Sequence, residues 1–267
     1  MAWWVQSLTV IRPIYMTARD VRVIKAVLFD MDDTLLSVNL TAFMARYVSD
    51  MSALLGEVAS MNPARVAWAM GKGYLAMSDG NRMDSDTNEA VYADCVHRLT
   101  QIPVDDPVIA DAISYYDREV LPGKNDRLIR AVPQPGAHEC VGRVREMGLA
   151  VALATNPVFT RDCIATRLGW AGFATGDFDL VTHMGNSTRL KPQARYYQQT
   201  IAALGLVPEE CLMVGNDARR DFPRPDIGLA TAYVGHGRPG RAVWRGPMAK
   251  LAEDIPAVID RLNTVGR

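Results

Sequence analysis

The sequence predicts an α/β protein in which helices flank a parallel sheet and a further group of helices is inserted after the first strand. Three observations carry this. Short apolar runs recur along the chain, most of them separated by helical patterns. The stretch after the first run holds several helix openings and no comparable run. The first run ends abruptly in a polar cluster, Asp30-Met31-Asp32-Asp33-Thr34, as a strand does where it leaves a buried sheet.

Residues 1–20 read as a peripheral extension. Met1 to Tyr15 contains Trp3 and Trp4, but no basic residue precedes the apolar stretch and no small-residue cleavage site follows, so a secretory signal is not expected. Arg12 and Pro13 interrupt it, and it is too short to span a bilayer. Met16 is an alternative start. Val21–Phe29 (VRVIKAVLF) is the first predicted strand, and further strands are expected at Leu149–Ala154, Phe178–Thr182, Cys211–Val214 and Leu229–Val234. Helical patterns at Gly136–Met147, Arg161–Leu168 and Gln193–Leu204 alternate with them. That alternation implies right-handed βαβ units and a Rossmann-like core over residues 21–36 and 131–267.

Residues 37–130 read as a helical insertion. Asn62-Pro63 and Asp106-Pro107 each place a capping residue before a proline suited to a first helical turn. Asp86 with Glu89 resembles a capping box, and Phe43, Tyr47, Leu54 and Leu55 mark an apolar helix face. Met and aromatic positions here are read as core. Open α/β sheets bind ligands at the carboxyl ends of their strands, so the insertion is expected to sit over the site.

Of the 267 residues 49% are hydrophobic, and the formal net charge is −1, so the basic footprint of a nucleic-acid partner is missing. No membrane partner is expected. Cys95, Cys140, Cys163 and Cys211 form no CxxC pair and fit buried thiols in a reducing, cytoplasmic setting. His97, His138, His183 and His236 have no partner spacing for zinc or a triad.

Four polar motifs are expected on one sheet edge: Asp30 with Asp32, Thr155-Asn156, Lys191-Pro192 opening a helix, and Gly215-Asn216-Asp217 with Asp221. Two carboxylates two positions apart can divide their labour, one attacking phosphorus, the other protonating the leaving oxygen and then activating water. A hard cation such as Mg²⁺ would be held by Asp30, Asp217 and a backbone carbonyl, easing approach of an anionic nucleophile to an anionic phosphoryl group. Lys191 adds fixed positive charge, and the Thr155 hydroxyl and Asn156 backbone N–H add neutral donors. Taken singly, each has a plainer reading: an aspartate-rich turn, a strand-ending threonine, a solvated lysine, a helix cap at Asp217. In the insertion, Ser78-Asp79-Gly80-Asn81-Arg82 reads as a turn that could reach a substrate, and Lys72 as a solvated lysine.

In this order, the four motifs resemble those of the haloacid dehalogenase (HAD) superfamily over roughly Lys25 to Val234. The resemblance implies that Asp30 forms an aspartyl-phosphate, and that Asp32 is the general acid/base and also binds magnesium through its main-chain carbonyl. It implies phosphate binding by Thr155 and Lys191, metal binding by Asp217, and orientation of Lys191 or a metal-bound water by Asp221. The insertion resembles the helical cap of subclass I, the phosphoglycolate-phosphatase-like group, and the 154–159 and 213–217 segments resemble an uncharacterised branch of it. Two departures stand out. Asn216 follows the glycine where many relatives carry the metal-binding Asp, so Asp217 is assigned and Asn216 is the alternative. Pro223 and Pro225 follow Asp221 and predict an irregular loop where relatives continue a helix. The implied activity is a Mg²⁺-dependent phosphatase acting on a small phosphorylated metabolite. Its rivals are a phosphomutase, a dehalogenase, a phosphonoacetaldehyde hydrolase using Lys72, and a non-catalytic binding protein.

Overall fold

The structure, a computed structural model, describes residues 23–265, so the expected amino-terminal extension lies outside the described residues. The chain runs through β1 (Ala26–Phe29), β2 (Leu36–Ser37), α1 (Leu40–Val58), α2 (Pro63–Ser78), α3 (Asn88–Thr100) and α4 (Pro107–Tyr115). It continues through β3 (Val132–Pro133), α5 (Ala137–Glu146), β4 (Ala150–Leu153), α6 (Arg161–Trp170), β5 (Leu180–Val181) and α7 (Ala194–Ala203). β6 (Cys211–Gly215), β7 (Ala230–Val234), β8 (Trp244–Gly246) and α8 (Met248–Val265) close it. The main sheet has six strands in the order β5-β4-β1-β6-β7-β8, and every pairing in it is parallel.

Both faces of this sheet are covered. Val27, Phe29, Val151, Leu153, Leu212 and Val214 point into one core shared with α5, α6 and α8. The alternate positions, Ala26, Leu28, Ala152 and Met213, point into a second with Tyr196, Tyr197 and Ile201 of α7. Burial on both sides explains why β1 and β6 read as unbroken apolar runs. The predicted first strand is shorter than its apolar run. Val23 and Lys25 are exposed, and only from Ala26 onward is the backbone enclosed on both sides.

Further boundaries differ for local reasons. The strand predicted at Phe178–Thr182 contracts to an edge strand of two residues, because a 3-10 turn over Thr175–Asp177 delivers the chain to it. α3 is capped by Thr87, which accepts from Ala90 N (3.1 Å), in place of the capping box expected from Asp86. Asp86 is held in the preceding loop, its N–H on Asp84 Oδ1 and its carbonyl on Arg82. The Asn62 and Asp106 caps form as predicted. β8 and α8 were not anticipated, although Leu251, Ile255, Val258 and Ile259 have helical spacing and are buried.

The helices α1 to α4 depart from and return to the core through a short antiparallel pair, where Leu36 faces Pro133 and Ser37 faces Val132. This two-stranded sheet was also missed by sequence reasoning, since two residues carry no periodicity. Among the described residues no helix is long and apolar enough to cross a membrane.

Candidate active site

Register builds the site. Phe29 of β1 lies opposite Leu153 of β4 and Val214 of β6, so the three strands end level. The chain leaves β4 outward to β5 and returns on the other side of β1 as β6, which makes β1 the switch point where open sheets form a crevice. Asp30, Thr155 and Gly215 stand at this edge, and Asp30 N–H donates to the Val214 carbonyl (2.9 Å).

Lys191 is the electrostatic centre. Its Nζ donates to Asp30 Oδ1 and to Asp221 Oδ1, each at 2.7 Å, with all three residues buried. Burial opposes the charge on Lys191, but the Asp221 and Asp30 carboxylates together outweigh it and hold its pKa well above the usual lysine value. Burial pushes Asp221 up to about 6 against the pull of Lys191. The other Asp221 oxygen accepts from Asp217 N (2.8 Å), and Gly215 is required beside it, since a Cβ there would lie 2.2 Å from Asp221 Oδ2. The Thr34 hydroxyl reaches Asp30 Oδ2 at 3.4 Å.

Lys191-Pro192 lies in the loop before α7 and does not open the helix as predicted; Gln193 is the residue ahead of its first turn. Asn156 secures this loop by accepting from Lys191 N (3.2 Å). The Thr155 carbonyl takes the Tyr196 hydroxyl (2.8 Å) and the Thr182 hydroxyl (3.0 Å), while its own hydroxyl has no partner among the described residues. Thr155 is thus fixed by its backbone with its donor free.

Asp32 pairs through Oδ1 with the guanidinium of Arg167, a fully buried residue of α6 that sequence reasoning missed. Burial raises the Asp32 pKa, Arg167 opposes that, and the Asp30 charge adds to the rise. The main-chain carbonyl of Asp32 takes no hydrogen bond among the described residues. Asp217 is half-exposed, with Oδ1 accepting from Arg219 N (2.8 Å) and Oδ2 3.8 Å from Arg220 Nε. The neighbouring Asn216 amide is without a partner among the described residues. No helix follows this segment before β7, as Pro223 and Pro225 predicted. No group of three or more His, Cys, Asp or Glu side chains gathered for a metal occurs among the described residues.

The insertion touches this edge directly. Asn88 at the start of α3 is fully buried and donates to the carbonyls of Pro157 and Arg189, each at 3.3 Å. Arg189 in turn donates to the carbonyls of Arg82 and Asp84, which fastens the turn at Ser78–Arg82 against the segment that carries Lys191. Lys72 is exposed, with its Nζ 5.9 Å from the Trp68 ring centroid. A cavity of about 910 Å³ opens within the insertion, lined by Met51, Met70 and Tyr92 and by Phe159 of the core; Asp30, Asp32 and Lys191 do not line it. Methionines read as core thus also form its wall.

The family model for haloacid dehalogenase-like hydrolase matches residues 24–223. The chain belongs to that family. A phosphoserine phosphatase from Thermus thermophilus is 37% identical over 104 residues, which is 39% of this chain and 41% of that protein. The pyrophosphatase PpaX of Halalkalibacterium halodurans is 27% identical over 112 residues, 42% of this chain and 50% of its own. The chain therefore spans half or less of the length of these curated relatives. Among solved structures, a HAD phosphatase from Thermococcus onnurineus superposes with a TM-score of 0.53 at 16% identity, covering 88% of this chain and 98% of that one. A β-phosphoglucomutase from Clostridium difficile gives 0.52 at 16% identity, covering 91% and 100%. At such identities the structures show the shared HAD fold, a Rossmann-like parallel sheet flanked by helices.

Proposed function

We propose that this HAD-family hydrolase is a Mg²⁺-dependent phosphatase that acts on a small phosphorylated metabolite through an aspartyl-phosphate at Asp30. One observation carries the reading: Asp30 ends the central strand with its carboxylate on a buried, charged lysine, and a second carboxylate, Asp32, follows two residues later. The phosphatase names of the partial relatives support it. An Asp30 oxygen attacks phosphorus, and the leaving oxygen takes a proton from Asp32. Water then attacks the aspartyl-phosphate as Asp32 removes its proton. Lys191 neutralises phosphoryl charge, and the Thr155 hydroxyl and Asn156 N–H donate to phosphoryl oxygens.

The donors at this edge suit magnesium, because Asp30, the unbonded Asp32 carbonyl and the 216–217 pair offer hard oxygen atoms. When bound, the ion would offset charge between nucleophile and phosphoryl group. Asp217 is assigned as its third ligand, with Asn216 the alternative. Asp217→Ala is expected to weaken magnesium activation at least about tenfold while Asn216→Ala does not, and magnesium titration of turnover decides between them. The helices within residues 37–130 act as a cap over the core of residues 21–36 and 131–267, and buried free thiols at Cys140, Cys163 and Cys211 fit a cytoplasmic setting.

The test is hydrolysis of an aryl phosphate by the purified protein, with magnesium or with chelator, beside Asp30→Asn. Turnover that needs magnesium and vanishes in Asp30→Asn is expected. Turnover that persists in Asp30→Asn would exclude Asp30 as nucleophile, and failure to bind magnesium with a phosphate mimic would favour a dehalogenase or a non-catalytic role.

A further inference from the structure

We infer that Arg167 is the positioning residue of Asp32, holding one carboxylate oxygen so that the other faces the leaving group. This rests on the phosphatase reading above, in which Asp32 is the general acid and base. Arg167 is fully buried on α6, and its guanidinium pairs with Oδ1 of Asp32, a contact between residues 135 positions apart. The guanidinium carbon also lies 4.4 Å from the ring centroid of Phe43 on α1 and 5.1 Å from that of Phe159. The cation therefore packs against a pair of touching rings, one from the helical insertion and one from the segment after Thr155-Asn156, whose centroids are 5.4 Å apart. Planar guanidinium stacks on rings and keeps a fixed fork of donors, which an ammonium does not.

Two details set this apart from a packing arginine. Its Nε is buried without a hydrogen-bond partner, a cost of roughly 1–3 kcal/mol that a purely structural residue has no reason to carry. Oδ2 of Asp32 has no partner among the described residues, and the side chain keeps 22% exposure. One oxygen is thus tethered and its twin is open to the crevice, the geometry required of a group that must give a proton to one oxygen and later take one from water. Fixing a carboxylate in this way removes rotational freedom that would otherwise be lost in the transition state.

The discriminating readout is the leaving group. A phenolate leaves without help, whereas an alkoxide needs the proton from Asp32. Wild type, Arg167→Met, Arg167→Lys and Asp32→Asn are compared on an aryl phosphate and on a simple alkyl phosphate, with folding checked by circular dichroism. The quantity compared is kcat/KM, which reports the steps up to leaving-group release and not the hydrolysis step both substrates share. Arg167→Met is expected to lower it by about 10- to 100-fold on the alkyl phosphate and by no more than about 3-fold on the aryl phosphate, a smaller version of the Asp32→Asn pattern. Arg167→Lys, which keeps the charge without the stacked plane, is expected to fall between. Equal losses of kcat/KM on both substrates in Arg167→Met, or wild-type behaviour on both, would overturn the inference. An unfolded Arg167→Met leaves Arg167→Lys to decide it on the same ratio. Wild type inactive on every phosphate would instead remove the phosphatase reading itself.

Discussion

Lys191 sits between two buried carboxylates, and its removal changes more than the proposed phosphate contact. Lys191→Met leaves Asp30 and Asp221 facing one another without their cation, and breaking a buried pair in this way typically costs about 3–5 kcal/mol. Neutralising one acid should recover part of that loss, so Lys191→Met with Asp221→Asn is expected to be more stable than Lys191→Met alone while both stay inactive. Urea unfolding checks it, and a double variant less stable than the single would contradict the pairing. Lys191 was legible because its residue type and order matched three other motifs. Arg167 was not, since an arginine in a helix reads as solvated and only the tertiary fold turns it toward Asp32. Asn156 differs in another way: its side chain holds the Lys191 loop, a contact invisible to any local pattern.

Asp117 shows what the elements add. It lies in the π-helical turn after α4, fully buried, where Tyr47 of α1 donates to its carboxylate and the Thr166 hydroxyl of α6 to its carbonyl. Burial pushes its pKa up to about 6, against the hydrogen bonds from Thr160 and Tyr47. A carboxyl raised from 3.8 to about 6 binds its proton more tightly when folded, so this site favours folding below pH 4. That contribution is lost as the pH rises and is gone above about pH 6, a change of about 3 kcal/mol. Asp117→Asn should therefore gain stability relative to wild type between pH 4 and pH 7, and parallel pH profiles would contradict it. Asn88 makes the analogous link at α3, and Asn88→Ala strands two buried carbonyls, with an expected cost of about 1–3 kcal/mol in thermal or urea unfolding. The helices themselves were legible from periodicity and from the Asn62 and Asp106 caps. The Asp86 box failed because a competing loop network holds that residue.

At the scale of the molecule, the strand order and level register bring residues from β1, β4, the loop before α7 and β6 to one edge. Most of this was readable, because buried parallel strands announce themselves as apolar runs and their ends as polar clusters. The β2–β3 pair and β8 were too short to leave a period, and the contact between the 78–86 loop and Arg189 depends on tertiary geometry alone. A site assembled from three strands of the sheet and the loop before α7 melts with the fold, so magnesium and vanadate together should raise the melting temperature by mass action, with a stabilisation of about 2.7 kcal/mol at one hundred times Kd.

The central claim is that Asp30 becomes covalently phosphorylated, and it is tested most directly by trapping that species. Enzyme quenched during turnover is reduced with borohydride, which converts an aspartyl-phosphate to homoserine, and the peptides are sequenced by mass spectrometry. Homoserine at position 30, present only with substrate and magnesium, is the predicted result. Turnover without any such conversion, or conversion at another aspartate, would contradict the account.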